Sequence, residues 1–219
     1  MGCKAQTAAI VVLWRGFEED AIATRHALLD AAEQVFYDKG VARASLAEIA
    51  QAAGTTRGAV YWHFKDKLDL FHAMMDRVTL PLEQACHLGE ITDEPLAYLR
   101  CVMEPLLHSV VHDTRTRRVF EIVIHRLEYV GELSAVRERH LAAHARFRAQ
   151  LARHLALAAE QQRLALPVTV DMAAAGLHAL YDGLLQSWLL DQPSDFDLLA
   201  TGRATTNVYL YGLGFELPD

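Results

Sequence analysis

The sequence predicts an all-α protein, with a small N-terminal three-helix unit followed by a larger C-terminal helical bundle, about nine helices in total. Three observations predict it. Pro occurs only 6 times in 219 residues while Ala, Leu, Glu and Arg recur throughout, and these are strong helix formers. Apolar residues return every three or four positions along segment after segment, and no run alternates as a half-buried strand would. The hydrophobic fraction of 52% is enough for a real core and argues against disorder.

The elements follow in order. "AAIVVLW" (8–14) is apolar but short, and Glu18, Glu19 and Asp20 come soon after it. A spanning helix needs about 20 apolar residues, and a secretory signal needs a small-residue cleavage site. Residues 1–20 are therefore read as a poorly ordered arm. From Ile22 a helical stripe forms through Leu28, Leu29, Ala32, Val35 and Phe36, and Gly40 follows Lys39 where a left-handed cap is expected. Ser45 and Glu48 then stand at capping-box spacing, opening a short helix that stops before Gly54. A second short helix starts at Thr55 or Thr56 and ends near Phe64, and a third runs from about Asp66 to Pro81 or beyond. Longer helices are expected at 94–111, 114–129, 132–163, 168–190 and 195–214, punctuated by Asp113, Pro167 and "DQPSD".

Two brief helices meeting at a glycine make a helix-turn-helix, whose second helix enters the DNA major groove. Gly54 supplies the positive φ of the turn, Ala50 allows close approach of the helices, and Ile49, Ala53 and Val60 are apolar where they meet. A hydroxyl at Thr55 or Thr56 caps the second helix, whose free amides favour a phosphate. Arg57 can pair with guanine O6 and N7. Gly58 costs the helix about 1 kcal/mol relative to alanine but lets it lie against base edges. Tyr61 and His63 can reach phosphates, as can Lys67 at the start of the next helix. Trp62 and Phe64 are read as packing aromatics that fix the reader to its neighbours.

The net charge of -7 points away from a chain coated in nucleic acid or lipid, yet leaves room for a local DNA-reading face. Cys3, Cys86 and Cys101 are few and scattered, which suits a reducing cytoplasm without a disulfide framework. No nucleophile elbow, Walker or dinucleotide fingerprint occurs, so no catalytic residue, cofactor or membrane partner is assigned. "HSVVH" (108, 112) and "HLAAH" (140, 144) have the i,i+4 spacing of metal ligands. With 11 histidines in the chain they are read as solvated or core residues, and no metal site is assigned.

The stretch "TRHALLDAAEQVFYDKGVARASLAEIAQAAGTTRGAVYWHFKDKLDLF" resembles the DNA-binding domain of the TetR family of bacterial repressors. "DTRTRR" (113–118) and "LYDGLLQSWLL" (180–190) resemble the branch that represses multidrug efflux pumps. The N-terminal arm departs from relatives that begin with a lysine-rich segment. The resemblance implies a DNA-binding domain over 21–66 and a ligand-binding and dimerisation domain over 67–219. It implies phosphate contacts from Arg25, Ser45 and Lys67, and groove reading from the block Thr56 to His63. The last two helices would form an intersubunit bundle in a homodimer, through Leu177, Leu180, Leu184, Trp188, Val208, Tyr209 and Tyr211.

Alignment with efflux regulators implies a pocket for a small hydrophobic or amphipathic inducer. Its lining would be Val102, Met103, Leu106, Phe120, Ile124, His144, Phe147, Leu151, His178, Tyr181, Asp182 and Gln186. The expected partner is a pseudo-palindromic double-stranded operator. Two alternatives stand beside this reading: a TetR-type regulator answering a narrow metabolite or a cysteine oxidant through Cys86 or Cys101, and an all-α ligand carrier or enzyme with a vestigial reader.

Overall fold

The structure, a computed structural model, describes residues 2–90, 94–127, 134–190, 192 and 194–217, with side chains from residue 19 onward except at 83, 85–90, 134 and 135. Among the described residues there are ten helices and no strand. They are α1 (Gly2–Lys39), α2 (Leu46–Ala52), α3 (Arg57–His63), α4 (Lys67–Glu90), α5 (Pro95–Cys101), α6 (Glu104–His112), α7 (Thr114–His125), α8 (Ser134–Gln162), α9 (Val170–Leu190) and α10 (Leu198–Gly212). The chain divides into two compact units, Met1–Met75 and Asp76–Asp219, with the boundary inside α4.

In the first unit Leu28, Leu29, Ala32 and Phe36 of α1 are buried, and Phe36 meets Phe71 edge-to-face at 5.8 Å. Two expectations are corrected here. Ile22 is 57% exposed, so the buried stripe begins one turn and a half later than its apolar character suggests. The backbone of α1 is helical from Gly2 rather than from Ile22; Pro is absent before Pro81 and the stretch is rich in Ala, so no residue breaks the helix. Gly40, at φ 80, closes α1 with its amide on the Phe36 carbonyl at 2.9 Å.

In the second unit α8 lies along α9, α5 packs on α8, and α10 packs on α9, α6 and α5. The helix expected over 94–111 is two helices. Pro105 lacks an N–H and its ring conflicts with the carbonyl four residues back, so α5 stops at Cys101 and α6 restarts with Pro in its first turn. Asp113 caps α7 by accepting from the Arg115 and Thr116 amides. Arg117 donates from Nε to the Val110 carbonyl at 3.1 Å and from Nη2 to that of Val111, covering the C-terminal carbonyls of α6. Its guanidinium also lies over the Trp188 ring at 5.3 Å. Within the arginine run at 115–118, Arg117 thus holds α6, α7 and α9 together.

Two apolar clusters fill this unit. One centres on Tyr98, Leu99, Leu151, Leu155, Leu177, Tyr181 and Leu210; the other on Leu107, Val110, Leu185, Trp188, Leu189 and Leu198. Leu177 and Trp188, expected on the intersubunit surface, are therefore core. Tyr181 donates to the Leu99 carbonyl at 3.3 Å and accepts from Thr206 Oγ1 at 3.2 Å. Burial pushes its phenol up to about 12, so it stays neutral.

Candidate functional site

The local chemistry that holds α2 and α3 is visible bond by bond. Ser45 Oγ accepts from the Glu48 amide while Glu48 Oε2 accepts from the Ser45 amide at 3.0 Å, a complete capping box. Lys39 joins it through Glu48 Oε1 at 2.5 Å. Gly54 takes φ +67, and the Thr55 amide returns to the Ala50 carbonyl at 2.9 Å. Thr56 is the α3 cap, its Oγ1 accepting from the Ala59 amide at 3.2 Å, which decides between the two threonines. Ile49, Ala50 and Val60 are buried between the helices, and Phe64 closes the far end. Asp66 and Asp69 then cap the start of α4, accepting from the Asp69 amide at 2.8 Å and the Lys65 amide at 2.9 Å.

The hydrogen bonds of Glu48 to Lys39 and Ser45 hold its carboxyl down at about 2. A carboxylate with a folded value below the unfolded value of about 4.3 adds stability above that pH and loses it as pH falls toward 2. The thermal midpoint of the wild type should therefore drop more steeply between about pH 5 and pH 2 than that of Glu48→Gln. Parallel midpoint-against-pH curves would remove Glu48 from this role.

At 100° per residue, Arg57, Tyr61, Gly58 and Trp62 follow one another around an arc of about 140° on α3, with Gly58 and Trp62 opposite the buried Val60. All four are exposed, Tyr61 by 49% and Trp62 by 72%. Trp62 is thus not the packing aromatic expected; Phe64, only 2% exposed, is. The sequence contained the signal, because Trp62 lies one turn after Gly58, itself read as groove-facing. Arg57 Nη2 donates to Tyr61 Oη at 3.0 Å, and its guanidinium lies 5.5 Å from the Tyr61 ring centroid. That pair pre-orients the arginine fork and leaves it donors for a base edge. A Cβ built on Gly58 would meet only Thr56 Oγ1, at an ordinary 3.7 Å. Among the described residues nothing requires glycine there. Residues 49–65 also carry no carboxylate in a chain of net charge -7.

The other expected contacts divide. Arg25 is exposed and sits over the Phe64 ring at 5.2 Å. His63 is held below the usual imidazole range by burial first and by Arg25 second, so near neutral pH it is an uncharged donor or acceptor. Lys67 has an internal role as well. Its ammonium donates to the carbonyls of Ala42 at 3.1 Å and Ala44 at 3.2 Å, tying the start of α4 to the loop before α2. Lys67 thus serves as an internal clip that shapes the α1–α2 loop.

The expected pocket residues do not line one space. Val102, Leu151 and Tyr181 are buried in the first apolar cluster with Phe147 against it; Leu106, Phe120 and Ile124 lie against the second, and Met103 touches both. His144, His178 and Asp182 come together at the α8–α9 seam, while Gln186 is exposed. A small crevice among Met103, Leu107, Tyr181, Gly202 and Thr206 holds about 10 Å³, no more than a water. An open groove of about 430 Å³ runs between α9 and α10, lined by Ala179, Leu180, Gly183, Leu184, Ser187, Phe196 and Thr201. Cys101 donates to the Ala97 carbonyl at 3.0 Å, and burial pushes its thiol up, which disfavours the thiolate that an oxidant would attack. The side chain of Cys86 lies outside the described residues. No described helix is long and apolar enough to cross a membrane.

Comparison with known proteins agrees with this architecture. Residues 28–74 match the family model for bacterial regulatory proteins of the tetR family, and residues 94–215 match the MAATS-type transcriptional repressor C-terminal region. The HTH-type transcriptional regulator TtgR of Pseudomonas putida is 36% identical over 187 residues, 84% of this chain and 89% of the relative. The crystal structure of NalD, the secondary repressor of the MexAB-OprM multidrug efflux pump in Pseudomonas aeruginosa, is 37% identical, with a TM-score of 0.77 over 89% of this chain and 97% of its own. A complex of SmeT, the repressor of the Stenotrophomonas maltophilia pump SmeDEF, with triclosan is 31% identical, with a TM-score of 0.75 over 90% of this chain and 100% of its own.

Proposed function

Because the chain belongs to the TetR family of bacterial transcriptional regulators, we propose that it is a homodimeric repressor of a multidrug efflux operon, released from its operator by an amphipathic or aromatic small molecule. The observation that carries the DNA-reading half is the outer face of α3, where Arg57, Gly58, Tyr61 and Trp62 stand uncovered on a helix capped by Thr56 and closed by the Phe64 amide on the Val60 carbonyl. Arg57 reads a guanine edge, Tyr61 holds the arginine and reaches a phosphate, and the free amides at the Thr56 end meet a second phosphate. Thr55, Ser45 and Arg25 flank this face, and His63 adds a neutral hydrogen-bonding group.

The efflux assignment rests on likeness to repressors of such pumps. The inducer half rests on the SmeT–triclosan relative and on the two apolar clusters joined by Met103. A flexible thioether between two clusters suits a pocket that opens around ligands of varied shape. The inducer acts only by preferring a conformer whose reader helices no longer match the operator. The helix α4 carries residues of both units and is the natural transmitter.

Binding to the promoter of the chain's own gene, measured by fluorescence anisotropy against random DNA, tests the reading. Arg57→Ala should lose about 1–3 kcal/mol of discrimination between the two, with the random-DNA affinity little changed. Equal wild-type affinity for both DNAs would favour a vestigial reader.

A further inference from the structure

Two short histidine-bearing turns face each other where α8 lies along α9. His178 Nε2 stands 3.6 Å from Asp182 Oδ2, and His144 Nδ1 reaches the same oxygen from α8 at 3.9 Å. The three ligand-capable atoms all lie within 4.8 Å of one another. We propose that His144, His178 and Asp182 form a binding site for one late first-row divalent metal ion of the zinc, cobalt or nickel class.

The geometry is that of groups which converge without bonding one another. Both contacts to Asp182 are longer than hydrogen bonds. In a tetrahedral site with bonds of about 2.0–2.1 Å, neighbouring ligand atoms are about 3.4 Å apart. Contraction by about 0.2 Å for the His178–Asp182 pair, about 0.5 Å for the His144–Asp182 pair and up to about 1.4 Å between the two imidazoles therefore gathers the three around an ion, a change that side-chain rotations can supply. Two imidazoles and one carboxylate suit zinc, cobalt or nickel, whereas calcium and magnesium prefer all-oxygen sets.

The surroundings favour the ligating forms. Burial holds both imidazoles below their usual range although Asp182 pulls the other way, so their lone pairs are free near neutral pH. The charged and titratable groups that act on the cluster are His140 and Arg148 from α8 and Asp182 from α9. The cationic Arg148 works against an ion and the carboxylate of Asp182 offsets it. Phe147 meets the His178 ring edge-on at 5.5 Å, which restricts that ring's rotation. Asp182 is half exposed while His178 is buried, so the ion has a route in and a fixed anchor. Three protein ligands leave a fourth position for water or for a chelating group on a small molecule.

Metal binding is read without DNA or inducer, so its outcome is independent of the repressor reading. The full-length protein is stripped with chelator and titrated with cobalt, whose visible d–d absorption reports tetrahedral coordination, and zinc is then added in competition. The wild type should give a saturable band at one ion per chain that zinc abolishes. His144→Ala and Asp182→Asn should each lower cobalt affinity at least about tenfold, with the helical circular dichroism unchanged. Asp182→Asn keeps the side-chain shape and guards against loss through misfolding. His108→Ala, on a histidine pair away from this seam, should bind as the wild type does. An unsaturable wild-type titration, wild-type affinity in both seam variants, or loss in His108→Ala would overturn the assignment.

Discussion

Ala204→Glu with Val208→Glu should convert the proposed homodimer to a monomer and weaken operator binding on the order of a thousandfold. Both side chains are exposed on α10, Val208 by 69%, so the charges remove nothing from the core. They lie beside Tyr211, itself 58% exposed, and α9 offers Met172 and the small residues Ala175, Ala179 and Gly183 as a matching exposed row. Small residues let two helices approach closely, and burying uncompensated carboxylates in that contact is costly. A monomer presents one reader to one half-site and loses the second set of contacts about one helical turn (~34 Å) away. Two like charges at i,i+4 cost the isolated helix only about 0.2–0.5 kcal/mol, so the melting curve of the monomer should stay close to that of the parent chain at low concentration. Light scattering and anisotropy check the two parts separately. A variant that remains dimeric and binds fully would move the interface to another face.

The features legible in the sequence were those decided within one turn of chain. The Ser45–Glu48 box, Gly40 and Gly54 needed no tertiary knowledge, and the structure forms each of them. Trp62 is the exception: its size and apolarity suggest packing, whereas helical phase places it beside Gly58 and away from the buried Val60. On α9 phase itself is a poor guide. The helix is apolar nearly all round, so Leu177 and Trp188 of the core cannot be separated by pattern from Leu180 and Leu184 at its margin. The lysine at 67 shows a different limit: its partners Ala42 and Ala44 are backbone carbonyls more than twenty residues away, which no side-chain motif announces. The same holds for the histidines: the His140–His144 pair was readable, but the meeting of His144 with His178 and Asp182 of α9 was not.

Gly58→Ala should have opposite effects on the free protein and on its complex. In the free protein alanine in place of an exposed helical glycine should raise unfolding free energy by about 0.5–1 kcal/mol, because the added methyl meets only Thr56 Oγ1 at 3.7 Å. On the operator that methyl stands between α3 and the base edges. Loss of close approach should cost about 1–3 kcal/mol, a fall in affinity of about five- to 150-fold. Gly58→Leu should fold equally well and bind worse still. The contrast with Gly176 makes the inference sharper: a Cβ there would collide with the Tyr209 hydroxyl, which donates to the Ala173 carbonyl at 2.8 Å, so that glycine serves the fold. Gly58 has no such neighbour, and a helix that forgoes available stability does so for something outside the chain. Chemical denaturation and anisotropy on the same preparations separate the two effects. A variant more stable and equally tight on the operator would mean that α3 does not approach the groove at this residue.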